Sequence, residues 1–272
     1  VYRVPYPEVL PGEEESEALL MERVEKRLVY SAKELAAVII EPLVQGAAGM
    51  RLSSPNFLRF LSRLCEKNGV LLIADEVATG FGRTGTMFAC QQAGICPDFL
   101  CVAKGLTGGY LPLAATLTTD YIYKAFLGSY VDQLTFFHGH TYTGNPLACA
   151  AALANLEVFE SEKTLVKLKS KIELLQAGLE NFEQLKHVYQ IRQCGFMVGI
   201  ELMQLPEKAK PFAMDKRIGH KVCLKAREKG LLIRPLGDVV VLMPPLGIAT
   251  RDLQRMLKIV FESIREVTEL GG

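Results

Sequence analysis

Four short apolar runs constrain the first half of this chain more than any other feature: "LAAVIIEP" (35–42), "VLLIADE" (70–76), "FLCVAK" (99–104) and "LPLAATLTT" (111–119). They are partly β-branched and of strand length, as buried strands require. Between the first two, "SPNFLRFLSRLCEKNG" (54–69) has the spacing of an amphipathic crossover helix, with Gly69 at its end. Strand, helix and strand in that order predict an α/β fold with a mostly parallel sheet.

The pattern changes after Asn145-Pro146. A small-residue helix, "LACAAALANLEVFE" (147–160), is followed by a charged amphipathic one, "KTLVKLKSKIELLQAGLENFEQL" (163–185). Beyond it, "VYQIRQCGFMVGIEL" and "LLIRPLGDVVVLMPPL" read as strands, and "DKRIGHKVCLKAREKG" and "RDLQRMLKIVFESIREV" as helices. We therefore expect two domains: 1–160, part of a large α/β domain, and 161–272, a small α+β domain. The first residues, "VYRVPYPEVLPGEEESEALL", read as a loop leading into an amphipathic helix.

Bulk properties narrow the classes. A formal charge of +1 across 272 residues offers no basic face, so neither a nucleic acid nor a membrane surface is expected as a partner. No apolar stretch reaches the roughly 18–20 residues of a membrane span. Seven cysteines, an odd number without a C-x-x-C pair, suggest reduced thiols in a cytoplasmic protein.

Residues 80–85, "GFGRTG", match G-x-G-x-x-G, the spacing that cradles a dinucleotide pyrophosphate. The context argues against that reading. Asp75 and Glu76 separate the apolar run from Gly80, and the next acid, Asp98, heads another apolar run where a ribose-binding acid would be needed. Asp75 and Lys104 carry more information, because each closes a predicted strand, and ligands of open parallel sheets bind at that edge. An acid and a lysine placed there suit pyridoxal phosphate: the lysine forms the Schiff base, and the carboxylate keeps the pyridinium protonated as an electron sink. A helix-capping acid and a solvated rim lysine are the competing reading of the pair alone. His138 and His140 have H-x-H spacing without further ligands, and no metal site is expected.

Four ordered segments, "EPLVQGAAGMR", "DEVATGFGRTG", "PDFLCVAKGLTGGYLPLAA" and "HGHTYTGNPLACAAALANLEVFE", closely resemble class III pyridoxal-phosphate-dependent aminotransferases of fold type I. Within that class they are most similar to the branch that aminates 8-amino-7-oxononanoate in biotin biosynthesis. The resemblance covers nearly the whole chain. It implies a fold type I transferase with a partial large domain and a small C-terminal domain, and pyridoxal 5'-phosphate as cofactor.

It further implies Lys104 as the Schiff-base lysine and Asp75 as the pyridinium partner. Thr141 matches the threonine that contacts the cofactor phosphate from the neighbouring subunit of a homodimer. Arg234, in "LLIRPLGD", matches the arginine that holds a substrate carboxylate, a task suited to a bidentate guanidinium. Gly139 and Arg83 fall in substrate-side loops, Arg83 with a structural pairing to a local acid as its alternative. Glu41, with Gln45, matches a stretch lining the same site, where it would neutralise an arginine or cap a strand.

The implied reaction has two stages. S-adenosylmethionine, or lysine in some lineages, gives up its amino group, and 8-amino-7-oxononanoate receives it as 7,8-diaminononanoate. The alternatives are another class III activity, of ω-amino acid or ornithine type, and a non-catalytic fragment. A full family member is expected to carry roughly a further third ahead of the point matching Val1, including the turn that holds the cofactor phosphate.

Overall fold

The structure, a computed structural model, describes residues 1–4 and 14–270. The loop expected over the first residues lies largely outside these. In chain order the elements are α1 (Glu14–Ser31), β1 (Ala37–Ile40), β2 (Val44–Gln45), β3 (Arg51–Leu52), α2 (Pro55–Lys67), β4 (Leu71–Asp75), α3 (Cys90–Ala93), β5 (Phe99–Val102), β6 (Ala115–Thr118), α4 (Asp120–Lys124) and α5 (Pro146–Ser161). They continue with α6 (Thr164–Glu180), β7 (Val188–Cys194), β8 (Met197–Leu202), α7 (Ile218–Glu228), β9 (Pro235–Leu236), β10 (Val239–Leu242) and α8 (Thr250–Arg265).

The chain forms two compact units: one of Val1–Leu43, Ser53–Phe81 and Thr86–Lys163, the other of Val44–Leu52, Gly82–Gly85 and Thr164–Gly272. In the first, a sheet of order β1-β4-β5-β6 is parallel through β1, β4 and β5, and β6 runs antiparallel to β5. All four apolar runs of the first half thus become neighbouring strands of one sheet.

Helix α2 forms where the sequence predicts it, for local reasons. Ser54 caps it, its hydroxyl accepting from Phe57 N at 3.0 Å, and Pro55 fits the first turn. Gly69 ends the segment at φ +66°, a left-handed conformation that glycine adopts without penalty. The apolar face of α2 (Phe57, Leu61, Leu64, Cys65) packs with Val24 and Leu28 of α1, with Val70 just ahead of β4 and with Leu72 within it. Each such side chain contributes about 1.5–3 kcal/mol by burial. Asp98 Oδ2 accepts from Leu72 N at 2.7 Å, so the acid that heads the third run pins the neighbouring strand.

The second unit has an antiparallel sheet of order β7-β8-β10-β9. Leu168, Leu175 and Leu179 of α6, Val222 of α7, and Leu253, Val260 and Ile264 of α8 bury the core with Val198, Ile200 and Leu242. The run "VYQIRQCGFMVGIEL" is a hairpin that turns at Gly195. Gly195 has φ +59°, and a Cβ there would lie 2.4 Å from the backbone carbon of Thr84, so only glycine lets the turn approach residues 83–85 so closely. Phe196 N donates to Arg83 O at 2.8 Å in the same contact. No helix starts at the glycines of "GFGRTG", which form consecutive turns. That backbone lacks the strand-to-helix turn a pyrophosphate cradle needs.

Candidate active site

Strand register aligns three of the expected residues along one edge of the first unit's sheet. Ile40 pairs with Ala74 and Asp75 with Cys101, so Glu41, Asp75 and the segment leading to Lys104 follow the carboxyl ends of three adjacent parallel strands. Glu76 N donates to Cys101 O at 2.9 Å and carries the ladder one residue further. This is the edge at which open parallel sheets bind ligands.

Asp75 is half-buried, and its Oδ1 accepts from Val77 N at 3.1 Å, a local turn that holds the carboxyl at the strand end. Lys104 is exposed and opens the 3-10 turn Lys104–Thr107 with φ +42°. A non-glycine residue in that region costs on the order of 1 kcal/mol, and such residues cluster where function demands a particular side-chain direction. Glu41 is half-buried just beyond β1.

A layer beneath these residues fixes the two loops. Glu76 is fully buried, and its carboxyl oxygens accept from Ala89 N (2.7 Å), Cys90 N (2.8 Å) and Thr79 Oγ1 (3.1 Å). The chain from β4 to α3 is thereby tied to the residue after Asp75. Burial, reinforced by the neighbouring Glu76, pushes the Cys90 thiol far above its ordinary pKa. Gly105 lies against Phe81, where an added Cβ would stand 2.7 Å from Phe81 Cβ, and Phe81 packs edge-on to Phe88. Asn155, on α5, donates its side-chain amide to Gly105 O (2.8 Å) and Leu106 O (3.1 Å).

Neither Glu76 nor Asn155 stands out in the sequence. Glu76 has a readable signal, because two adjacent acids at a strand end face opposite ways, and the inward one must find donors. Asn155 is signalled only as a weak helix former inside an alanine-rich helix.

Gly139 and Thr141 are exposed in the segment before α5. In that turn His140 N donates to Thr143 Oγ1 (2.9 Å), Tyr142 N to His140 Nδ1 (3.1 Å), and Leu147 N and Ala148 N to Asn145 Oδ1. Arg83 and Arg234 belong to the second unit. Arg83 Nη1 donates to Pro244 O at 2.6 Å, a carbonyl rather than the acid anticipated as its structural partner, and burial lowers the guanidinium's pKa. Arg234 is exposed directly ahead of β9.

The donor set suits a pyridine-ring aldehyde cofactor: an accessible primary amine and a held carboxyl follow adjacent parallel strands, and Asp75's remaining acceptor capacity is open to a ring N–H.

Comparison with known proteins gives the family of the chain. The family "Aminotransferase class-III" matches residues 1–264. The adenosylmethionine-8-amino-7-oxononanoate aminotransferase of Nitratidesulfovibrio vulgaris is 56% identical over 249 residues, covering 92% of this chain and 46% of that protein. The protein of that name from Aquifex aeolicus is 52% identical over 262 residues, covering 96% of this chain and 57% of its own length. The chain thus spans about half the length of the curated relatives it matches. Among solved structures, the adenosylmethionine-8-amino-7-oxononanoate aminotransferase of Methanocaldococcus jannaschii superposes with a TM-score of 0.89 at 43% identity, over 91% of this chain and 57% of that one. A structure described as "Transaminase with L-ala" superposes at 0.91 with 27% identity, over 99% of this chain and 65% of that one.

Proposed function

The chain belongs to the class-III aminotransferases, a pyridoxal-phosphate-dependent family, and from that membership we propose that it acts in the amination of 8-amino-7-oxononanoate to 7,8-diaminononanoate. S-adenosylmethionine is the amino donor in this reading. The observation that carries it is the placement of Asp75 and Lys104 at the carboxyl ends of two adjacent parallel strands, in a chain 56% identical to a relative that bears that activity in its name.

In this reading Lys104 is the covalent anchor for pyridoxal 5'-phosphate, and Asp75 holds the ring nitrogen. When bound, the cofactor supplies an electron sink for the pair left behind when a substrate Cα–H bond breaks. The Lys104 amine would hold the cofactor and, when free, would take up and return the proton at the substrate Cα. Arg234 binds the carboxylate of the acceptor with its planar fork, and Glu41, Arg83 and Gly139 line the substrate side.

Thr141 reaches the cofactor phosphate of a second copy, so the working unit is a homodimer. The surroundings of Thr141 support this: Tyr130 and Phe137 are 98% and 89% exposed, beside exposed Phe136 and Tyr142. Aromatic side chains concentrated on one segment are what an interface between copies requires. All seven cysteines are free thiols, which supports a reducing, cytoplasmic location. Among the described residues no helix is long and apolar enough to cross a membrane.

The test is the visible absorbance of the purified chain titrated with pyridoxal phosphate, beside Lys104→Ala. A band present only with Lys104 is expected, followed by turnover of 8-amino-7-oxononanoate. Turnover of only 2-oxoglutarate or pyruvate would favour an ω-amino acid or ornithine type of activity.

A further inference from the structure

Asn155 lies fifty residues beyond the turn it touches, on a different element, and both its amide hydrogens are used there. The accepting carbonyls belong to the two residues that follow Lys104. Its Oδ1 sits over Gly108, where an added Cβ would come within 3.0 Å, so the side chain fills the concave side of the turn. That turn starts in a left-handed conformation at Lys104 and ends in another at Gly108, φ +61°. Such a turn persists only where its surroundings over-determine it. Gly108 N to Gly105 O (3.2 Å) and Leu106 N to Ala103 O (3.0 Å) hold it from inside, and Asn155 is its side-chain clamp from outside.

We propose that Asn155 is a positioning residue for Lys104, holding the 105–108 turn so that the amine is presented at the sheet edge in one direction. This rests on the reading of Lys104 as the cofactor anchor. A carboxyl of the same shape cannot do the work, because it has no N–H to give and would face two carbonyl oxygens.

The experiment is reductive trapping. The intact chain is incubated with pyridoxal phosphate and reduced with borohydride, and the labelled lysines are quantified by peptide mass. In the unmutated chain Lys104 is expected to be labelled about tenfold faster than exposed lysines such as Lys167 and Lys169. Asn155→Asp is expected to abolish that preference, a loss of about tenfold for two hydrogen bonds, with Lys167 and Lys169 labelled as before. The melting temperature, read in parallel, separates loss of aim from loss of fold. If Asn155→Asp does not fold, Asn155→Ala removes the donor without adding charge and carries the same comparison. Wild-type labelling of Lys104 in folded variants would overturn the role of Asn155. Absence of any Lys104 preference in the unmutated chain, measured also with the upstream segment of a full family member joined to it, would overturn the anchor reading itself.

Discussion

Lys104 sits in a backbone conformation that lysine seldom adopts, and the residue after it has no room for a side chain. A Cβ at Gly105 would stand 2.7 Å from Phe81 Cβ and 3.0 Å from the Phe81 ring. Phe81 is buried and itself left-handed at φ +55°, so it has little freedom to yield. Gly105→Ala is therefore expected to destabilise the chain by about 1–3 kcal/mol, as overpacking does. In a double-mutant cycle with Phe81→Gly, which removes the opposing Cβ, the penalty of the alanine should largely vanish. Additive free energies in urea denaturation would show that the contact does not constrain the turn. Asp75 and Lys104 were legible in the sequence because each closes an apolar run and therefore falls at a strand end. The contacts of Gly105 and Asn155 were not, since both depend on segments 24 and 50 residues away in sequence meeting the same turn.

At the scale of elements, the turn after β4 depends on one side chain. Glu76 accepts three hydrogen bonds with no exposure to water, two of them from the backbone at the start of α3. Glu76→Ala leaves three buried donors without partners, and an expected cost of about 3 kcal/mol or more follows from their desolvation. Glu76→Gln keeps one good acceptor but turns an amide N–H₂ towards a backbone donor, so it should fall between alanine and wild type. Equal stability of all three proteins would show that water replaces the carboxyl. The main strands and long helices were legible because their apolar spacing repeats over enough residues to carry a signal. The two-residue ribbon of β2 and β3 was not: Val44 pairs with Leu52 and Gln45 with Arg51, too short a stretch for any periodicity. The direction of β6 was equally hidden. It runs antiparallel because the segment from Lys104 to Ala114 holds one 3-10 turn and no helix that would return the chain to the start of the sheet.

Across the whole molecule, each unit has its own core, and buried or half-buried thiols report on each. Burial pushes the Cys65 thiol of the first unit up to about 11, and the Cys194 and Cys223 thiols of the second to about 12 and about 11, from an ordinary 9.0. At neutral pH a thiol reagent should therefore modify exposed Cys96 first and reach Cys65 and Cys223 only as each unit opens. The same shifts set an alkaline limit. Above about pH 9 the unfolded chain releases these protons while the folded chain keeps them, so the unfolded state binds fewer protons and stability falls as pH rises. The loss begins at the unfolded value and is complete only once pH passes the folded values. Lysines and tyrosines titrate in the same range, so the decisive comparison is with alanine variants. Melting temperatures of the wild type and of a Cys65→Ala, Cys194→Ala, Cys223→Ala triple variant, followed from about pH 8 to about pH 11, should diverge in slope, the wild type falling faster. Parallel curves would mean that water reaches these thiols in the folded state.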